Sequence, residues 1–129
     1  SEIDAMTHWI RDNLGRDVPL HLTAFHPSWK MMDTPRTPKS TLTRCREIAL
    51  RNGLHYVYTG NVHDPEADST WCHACGQLLI GRDWYRLGDW QLTHAGHCAH
   101  CGHQIAGVFE DQPGTWGPRR LPVAMHEPA

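Results

Sequence analysis

Apolar and polar positions divide the chain into two regions of different period. Over 1–14, Ile3, Met6, Ile10 and Leu14 recur at steps of three and four. That spacing predicts a helix with one apolar face. Ser1 stands ready as its cap, Glu2 and Asp4 in the first turn suit the helix dipole, and Gly15 is a natural stop. Over 18–25 the period changes to two. Leu20, Leu22 and Ala24 alternate with His21 and Thr23, which predicts a strand with one apolar and one polar face. A proline-rich loop of about a dozen residues (27–38) follows, and loops this long in compact domains tend to carry function.

A second helix opens at Pro38 and closes at Asn52-Gly53. Leu42, Cys45, Ile48 and Ala49 form its inner face, while Arg44, Arg46, Glu47 and Arg51 point outward, so Cys45 reads as a small core residue. Residues 54–58 read as a second strand. The order helix, strand, loop, helix, strand is the rhythm of a parallel α/β sheet or barrel, yet sixty residues are too few to close one.

From 63 to 70 the chain is polar and reads as a linker. Residues 71–109 hold short strands at 78–80, 84–87 and 90–92, with turns expected at Gly81-Arg-Asp83 and Gly88-Asp89. The tail, 110–129, has proline and glycine but no period (Pro113, Gly114, Gly117, Pro118, Pro122, Pro128), and reads as extended or disordered.

The chemistry lies in two short loops, Cys72-His-Ala-Cys75-Gly76 and Cys98-Ala-His-Cys101-Gly102. Each aims two thiols at one point, and Cys72, Cys75, Cys98 and Cys101 together supply the four ligands of a closed tetrahedral site. Zinc suits four thiolates, and iron in the rubredoxin manner uses the same donors. Such a site activates no water, so its expected role is to staple a domain of roughly forty residues that is too small to fold unaided. The neighbouring His73, His94, His97, His100 and His103 are not needed as ligands and read mainly as exposed groups titrating near neutrality. Glycine-rich phosphate loops, paired catalytic carboxylates and Ser-His-Asp orders are absent.

Composition narrows the field. The 129 residues carry a formal charge of −2, with Lys and Arg scattered, which disfavours a nucleic-acid partner. Apolar content is modest at 40%, but six tryptophans each offer a large area to bury. No run of eighteen apolar residues suggests a membrane span. Paired Cys-x-x-Cys loops with a fifth, odd cysteine fit a reducing, cytoplasmic compartment. A chain opening at Ser1 directly into an amphipathic helix reads as processed or as part of something longer.

The stretch from His21 to Pro38, with its Phe25-His26-Pro27-Ser-Trp29-Lys30 core, resembles a segment of one group of radical S-adenosylmethionine enzymes. So does the helix to Gly53 followed by Leu54-His-Tyr-Val-Tyr-Thr-Gly-Asn-Val62, and the Cys-x-x-Cys-Gly ribbon with Leu-Leu-Ile after it. The group is the radical enzyme of the AmmeMemoRadiSam system, related to pyruvate formate-lyase-activating enzymes, and the resemblance covers about 1–109. It implies a partial (β/α) barrel, a 4Fe–4S cluster and S-adenosylmethionine, cleaved reductively to a 5′-deoxyadenosyl radical. The cluster of that group sits on a Cys-x-x-x-Cys-x-x-Cys loop, and no two of the five cysteines here have the first of those spacings.

The expectation is therefore a C-terminal portion of such an enzyme. Residues 1–62 would be the last barrel units, 63–70 a linker and 71–109 a zinc ribbon. The resemblance would place His21, Thr23, His26 and Lys30 at the substrate end of the parent barrel, with no catalytic residue in this chain alone. Its partners would be the missing N-terminal barrel portion and a protein substrate or partner. The competing expectation is a freestanding zinc-ribbon module that binds a protein or a nucleic acid, using residues such as Arg82, Trp84 and Arg86.

Overall fold

A computed structural model describes residues 1–115 and 117–125, so Pro128 and the other residues of 126–129 lie outside it. The fold is mixed α/β, with two small sheets and two adjoining cores. The first sheet is the parallel pair β1 (Leu20–Thr23) and β2 (Val57–Gly60), registered Leu20 to Val57 and Thr23 to Gly60. Parallel neighbours need a crossover, and α2 (Lys39–Arg51) supplies it. Leu22, Ala24, Leu42, Ala49, Leu54 and Val57 form the core beneath, and Cys45 packs against it half-buried.

Helix α1 (Glu2–Leu14) is capped by Ser1, whose hydroxyl accepts from the Asp4 N–H at 3.3 Å, and is closed by Gly15 at φ 95°. Its inner line differs from the expected stripe. Ile3 and Ile10 face the core, but Met6 and Leu14 are exposed, and Thr7 is the fully buried residue. The cause is a polar tie. The Asn52 amide at the end of α2 donates to Thr7 Oγ1 and to Asp4 Oδ1, both at 2.9 Å, which rotates α1 toward its Asp4–Thr7 side. The same bond holds the Asp4 carboxyl below the usual carboxylate range.

The second strand lies later than its apolar pattern suggested, at Val57–Gly60 instead of 54–58. Leu54 and Val57 are buried in the α/β core, while Tyr56 between them is buried in the other core, so the apolar positions at 54–57 do not share one strand face. The polar stretch expected as a linker is a folded connection. Asp64 caps a single turn, α3 (Pro65–Asp68), which buries Ala67 and leads into β3 (Thr70–Trp71).

β3 opens an antiparallel sheet with β4 (Leu78–Asp83) and β5 (Arg86–Trp90). The three short strands expected here are one hairpin, and its turn is at Trp84-Tyr85. Gly81 and Gly88 lie within its strands. A Cβ on Gly81 would come 3.1 Å from the Asp89 backbone nitrogen, so the close strand approach is what requires glycine there. Residues 110–115 and 117–125 contain no helix or strand.

Candidate metal centre

The two knuckles have one backbone design, repeated. Cys72 N–H donates to Gln77 O at 2.9 Å, and Cys98 N–H donates to His103 O at 2.8 Å. Gly76 N–H donates to Cys72 O, and Gly102 N–H to Cys98 O, both at 2.8 Å. Gly76 and Gly102 take φ of 79° and 80°, a left-handed turn that glycine adopts without strain.

The fold brings all four thiols together. Their sulfurs lie within 4.8 Å of one another, with Cys72 to Cys101 and Cys75 to Cys98 each at 3.7 Å. None of the five cysteines forms a disulfide. A tetrahedral ion holding thiolates at about 2.3 Å sets its sulfurs roughly 3.8 Å apart. The spacing therefore fits one metal ion of that kind.

The electrostatics show what the cluster lacks without a cation. The Cys101 and His100 N–H groups draw the Cys98 thiol down to about 6. The Gln77 N–H acts in the same sense on Cys75, but burial and the surrounding sulfurs outweigh it and push that thiol up to about 12. Cys101 is likewise raised, because burial and the Cys72 and Cys98 sulfurs outweigh the His103 N–H. Crowded sulfurs cannot all ionise unless a cation holds them. The centre is anchored by its own core of Tyr56, Cys72, Leu79, Ile80, Leu92, Cys98 and Ile105.

The four barrel candidates do not form one cluster. His21 and Thr23 are exposed on the same face of β1, and the His21 ring lies 5.1 Å from Tyr58. Beside His21 is a surface cavity of about 220 Å³ bounded by Pro19, Tyr58, Asp68 and Arg82. Burial raises the Asp68 carboxyl there, against the opposing pull of Arg82. His26 is exposed and contacts its neighbour Pro27 O at 3.0 Å. Lys30 sits over the Trp29 ring at 4.5 Å, in a loop that also exposes Met31 and Met32.

The knuckle histidines are not all alike. His94 pairs with Asp111 at 2.6 Å, and the His97 ring meets Gly102 O at 2.9 Å. His73 instead stacks on His55, ring centres 3.6 Å apart, with His103 edge-on at 4.6 Å. Partial burial, together with His55 and His103, lowers the His73 pKa. Sequence reasoning missed this contact with His55, because the two residues meet only when the units pack.

The chain is similar to an uncharacterized protein of Methanocaldococcus jannaschii, MJ0808, at 43% identity over 99 residues. The matched region is 76% of this chain and 30% of that protein, so the chain spans under a third of the length of the curated relative it matches. No family model matches the chain. No solved structure matches it either.

Proposed function

We propose that the chain is the C-terminal part of a radical S-adenosylmethionine enzyme of the AmmeMemoRadiSam group, related to pyruvate formate-lyase-activating enzymes. Residues 1–62 then furnish the last units of a partial (β/α) barrel, and the ribbon is a structural zinc module attached to it. The observation that carries this reading is the parallel pairing of β1 with β2 through α2. That sheet buries Leu22 and Val57 on one side while His21 and Thr23 stand exposed, as expected of strands taken from a larger closed sheet.

In α/β barrels the reacting groups gather at the C-terminal ends of the strands. Here that end carries Thr23, Asn61 and the loop with His26 and Lys30. Asn61 ties the two strand ends together by donating from its amide to Ala24 O at 3.1 Å. In the whole enzyme, a 4Fe–4S cluster and S-adenosylmethionine supply hydrogen abstraction. This chain contributes the Thr23 hydroxyl, the His26 imidazole and the Lys30 cation at the substrate end, with His21 further back along β1. In this reading the parent is cytoplasmic and meets a protein substrate or partner; no helix among the described residues of this chain is long and apolar enough to cross a membrane.

Anaerobic reconstitution with iron and sulfide tests the reading. The expected result is no 4Fe–4S absorbance on this chain and about one tightly held zinc. A cluster formed on these five cysteines would overturn it. Metal analysis of the chain as purified, before iron is added, distinguishes zinc from iron, since a red, redox-active centre would mark rubredoxin-type iron.

One feature favours a second reading, a freestanding ribbon that binds a protein or nucleic acid. Trp84 and Tyr85 are 54% and 74% exposed at the hairpin tip beside Arg86. The reading frame upstream discriminates: a Cys-x-x-x-Cys-x-x-Cys loop about two hundred residues earlier supports the enzyme, and a start codon adjoining Ser1 supports the module.

A further inference from the structure

Three metal-ligating side chains outside the tetrathiolate meet where the two units join. Asp17 comes from the turn after α1, His55 from the segment between α2 and β2, and His73 from the first knuckle. One donor atom of each lies within 4.8 Å of the other two. Asp17 Oδ1 is 2.7 Å from His55 Nδ1. The His55 and His73 rings face each other at 3.6 Å, 2° from parallel. Three separate stretches of chain thus bring a carboxylate and two imidazoles to one point.

We propose that Asp17, His55 and His73 form a second metal site, distinct from the four cysteines, for a divalent first-row transition ion such as Zn²⁺. The donor set selects that class. Imidazole suits zinc, copper, iron and nickel, whereas calcium and magnesium take oxygen ligands. Three protein ligands leave a coordination position open, as in zinc sites that keep a bound water. There is room for one: His55 and His73 line a cavity of about 310 Å³ that also includes Arg16, Arg46 and Tyr56.

Parallel rings set their lone pairs side by side, so binding an ion at about 2.0–2.1 Å from each nitrogen turns one ring out of the stack. His73 is exposed and Asp17 has 60% of its side chain in solvent, so both have solvent to turn into, and His73 gives up its stack on His55 in doing so. The ion would clamp the first knuckle to the α/β unit. This site does not depend on the radical-enzyme reading.

The test uses the full chain with its tetrathiolate first loaded with one equivalent of zinc. Titration with Co²⁺, followed by absorbance and calorimetry, is expected to show a second ion per chain without sulfur-to-metal charge transfer. Asp17→Asn and His73→Gln should each weaken that ion by at least about 10–100-fold and leave the first in place. Asp17→Asn alters an exposed side chain, so it reads the site even if His73→Gln disturbs the knuckle. His94→Gln, at a remote His–Asp pair, should change neither ion. One ion per chain in the wild type, a second ion that survives Asp17→Asn, or one lost on His94→Gln would overturn the proposal.

Discussion

Tyr56 and Val57 are consecutive, yet they bury their side chains in different cores. Tyr56, 5% exposed, belongs to the ribbon, and Val57, 3% exposed, belongs to the α/β unit. Two adjacent residues at the entry to β2 thus serve two units. Tyr56→Ala should cost about 3–5 kcal/mol by analogy with large aromatic truncations, and it should loosen the ribbon although the residue lies outside it. Tyr56→Phe should cost little. The hydroxyl faces the Ala106 backbone but reaches no partner in hydrogen-bond geometry, and burial raises its pKa. Denaturant unfolding of both variants, read at the tryptophans, checks the contrast.

The four ligands should act as a unit. Any of Cys72, Cys75, Cys98 or Cys101 changed to Ser should abolish tight metal binding by the monomer and unfold residues 71–109 in it, since metal binding at such sites provides folding free energy of about 10–16 kcal/mol. Cys45→Ser should leave the metal content at one ion in the tetrathiolate. Metal analysis after gel filtration, with and without a chelator, decides this.

Metal affinity should rise steeply with pH. Cys75, raised to about 12, and Cys101, also raised, are thiols at neutral pH, and each must lose its proton to bind. These two protons alone make the affinity fall by about 100-fold for each unit the pH drops near neutrality. Cys98, lowered to about 6, adds a further proton as the pH drops through that value. Competition titrations at pH 6, 7 and 8 measure the slope; a flat profile would refute the assignment of ligands.

Two glycines in the hairpin should behave differently. Gly81→Ala puts a methyl 3.1 Å from a backbone nitrogen that cannot move alone, so it should destabilise by about 1–3 kcal/mol. At Gly88 the nearest atom lies at 3.8 Å, an ordinary contact, and Gly88→Ala should be nearly neutral. Thermal melts of the two variants compare them directly.

Asn52→Ala should cost about 1–3 kcal/mol, because it leaves the buried Thr7 hydroxyl without its Asn52 donor and frees α1 from α2. It should also return the Asp4 carboxyl toward its ordinary value, since the Asn52 bond is the main cause of its lowering. NMR titration of Asp4 follows that change independently of stability.

The knuckles were legible because their signal is local: two residues between cysteines and a glycine after them are enough to set each loop. Both helices were legible for the same reason, through periodic apolar positions and nearby stops. The rest depends on long-range contacts. Asn52 read as a helix terminator, but its side chain ties α1 in place across 45 residues to Thr7. Gly81 and Gly88 read as turns because glycine is common there, whereas the true turn uses Trp84 at φ 54°, which no composition rule marks. Asp17, His55 and His73 have no fixed spacing at all. The one available hint was a histidine inside a knuckle that the four cysteines left without a task.

The repeated knuckle has a consequence for damaged chains. Its two copies are interchangeable in backbone design, so a molecule that loses one knuckle to oxidation still presents an intact half-site. Two such molecules can share one ion through their surviving halves. Oxidation of one knuckle would then favour sharing of an ion between chains, and a dimer formed only in the presence of zinc would be its signature.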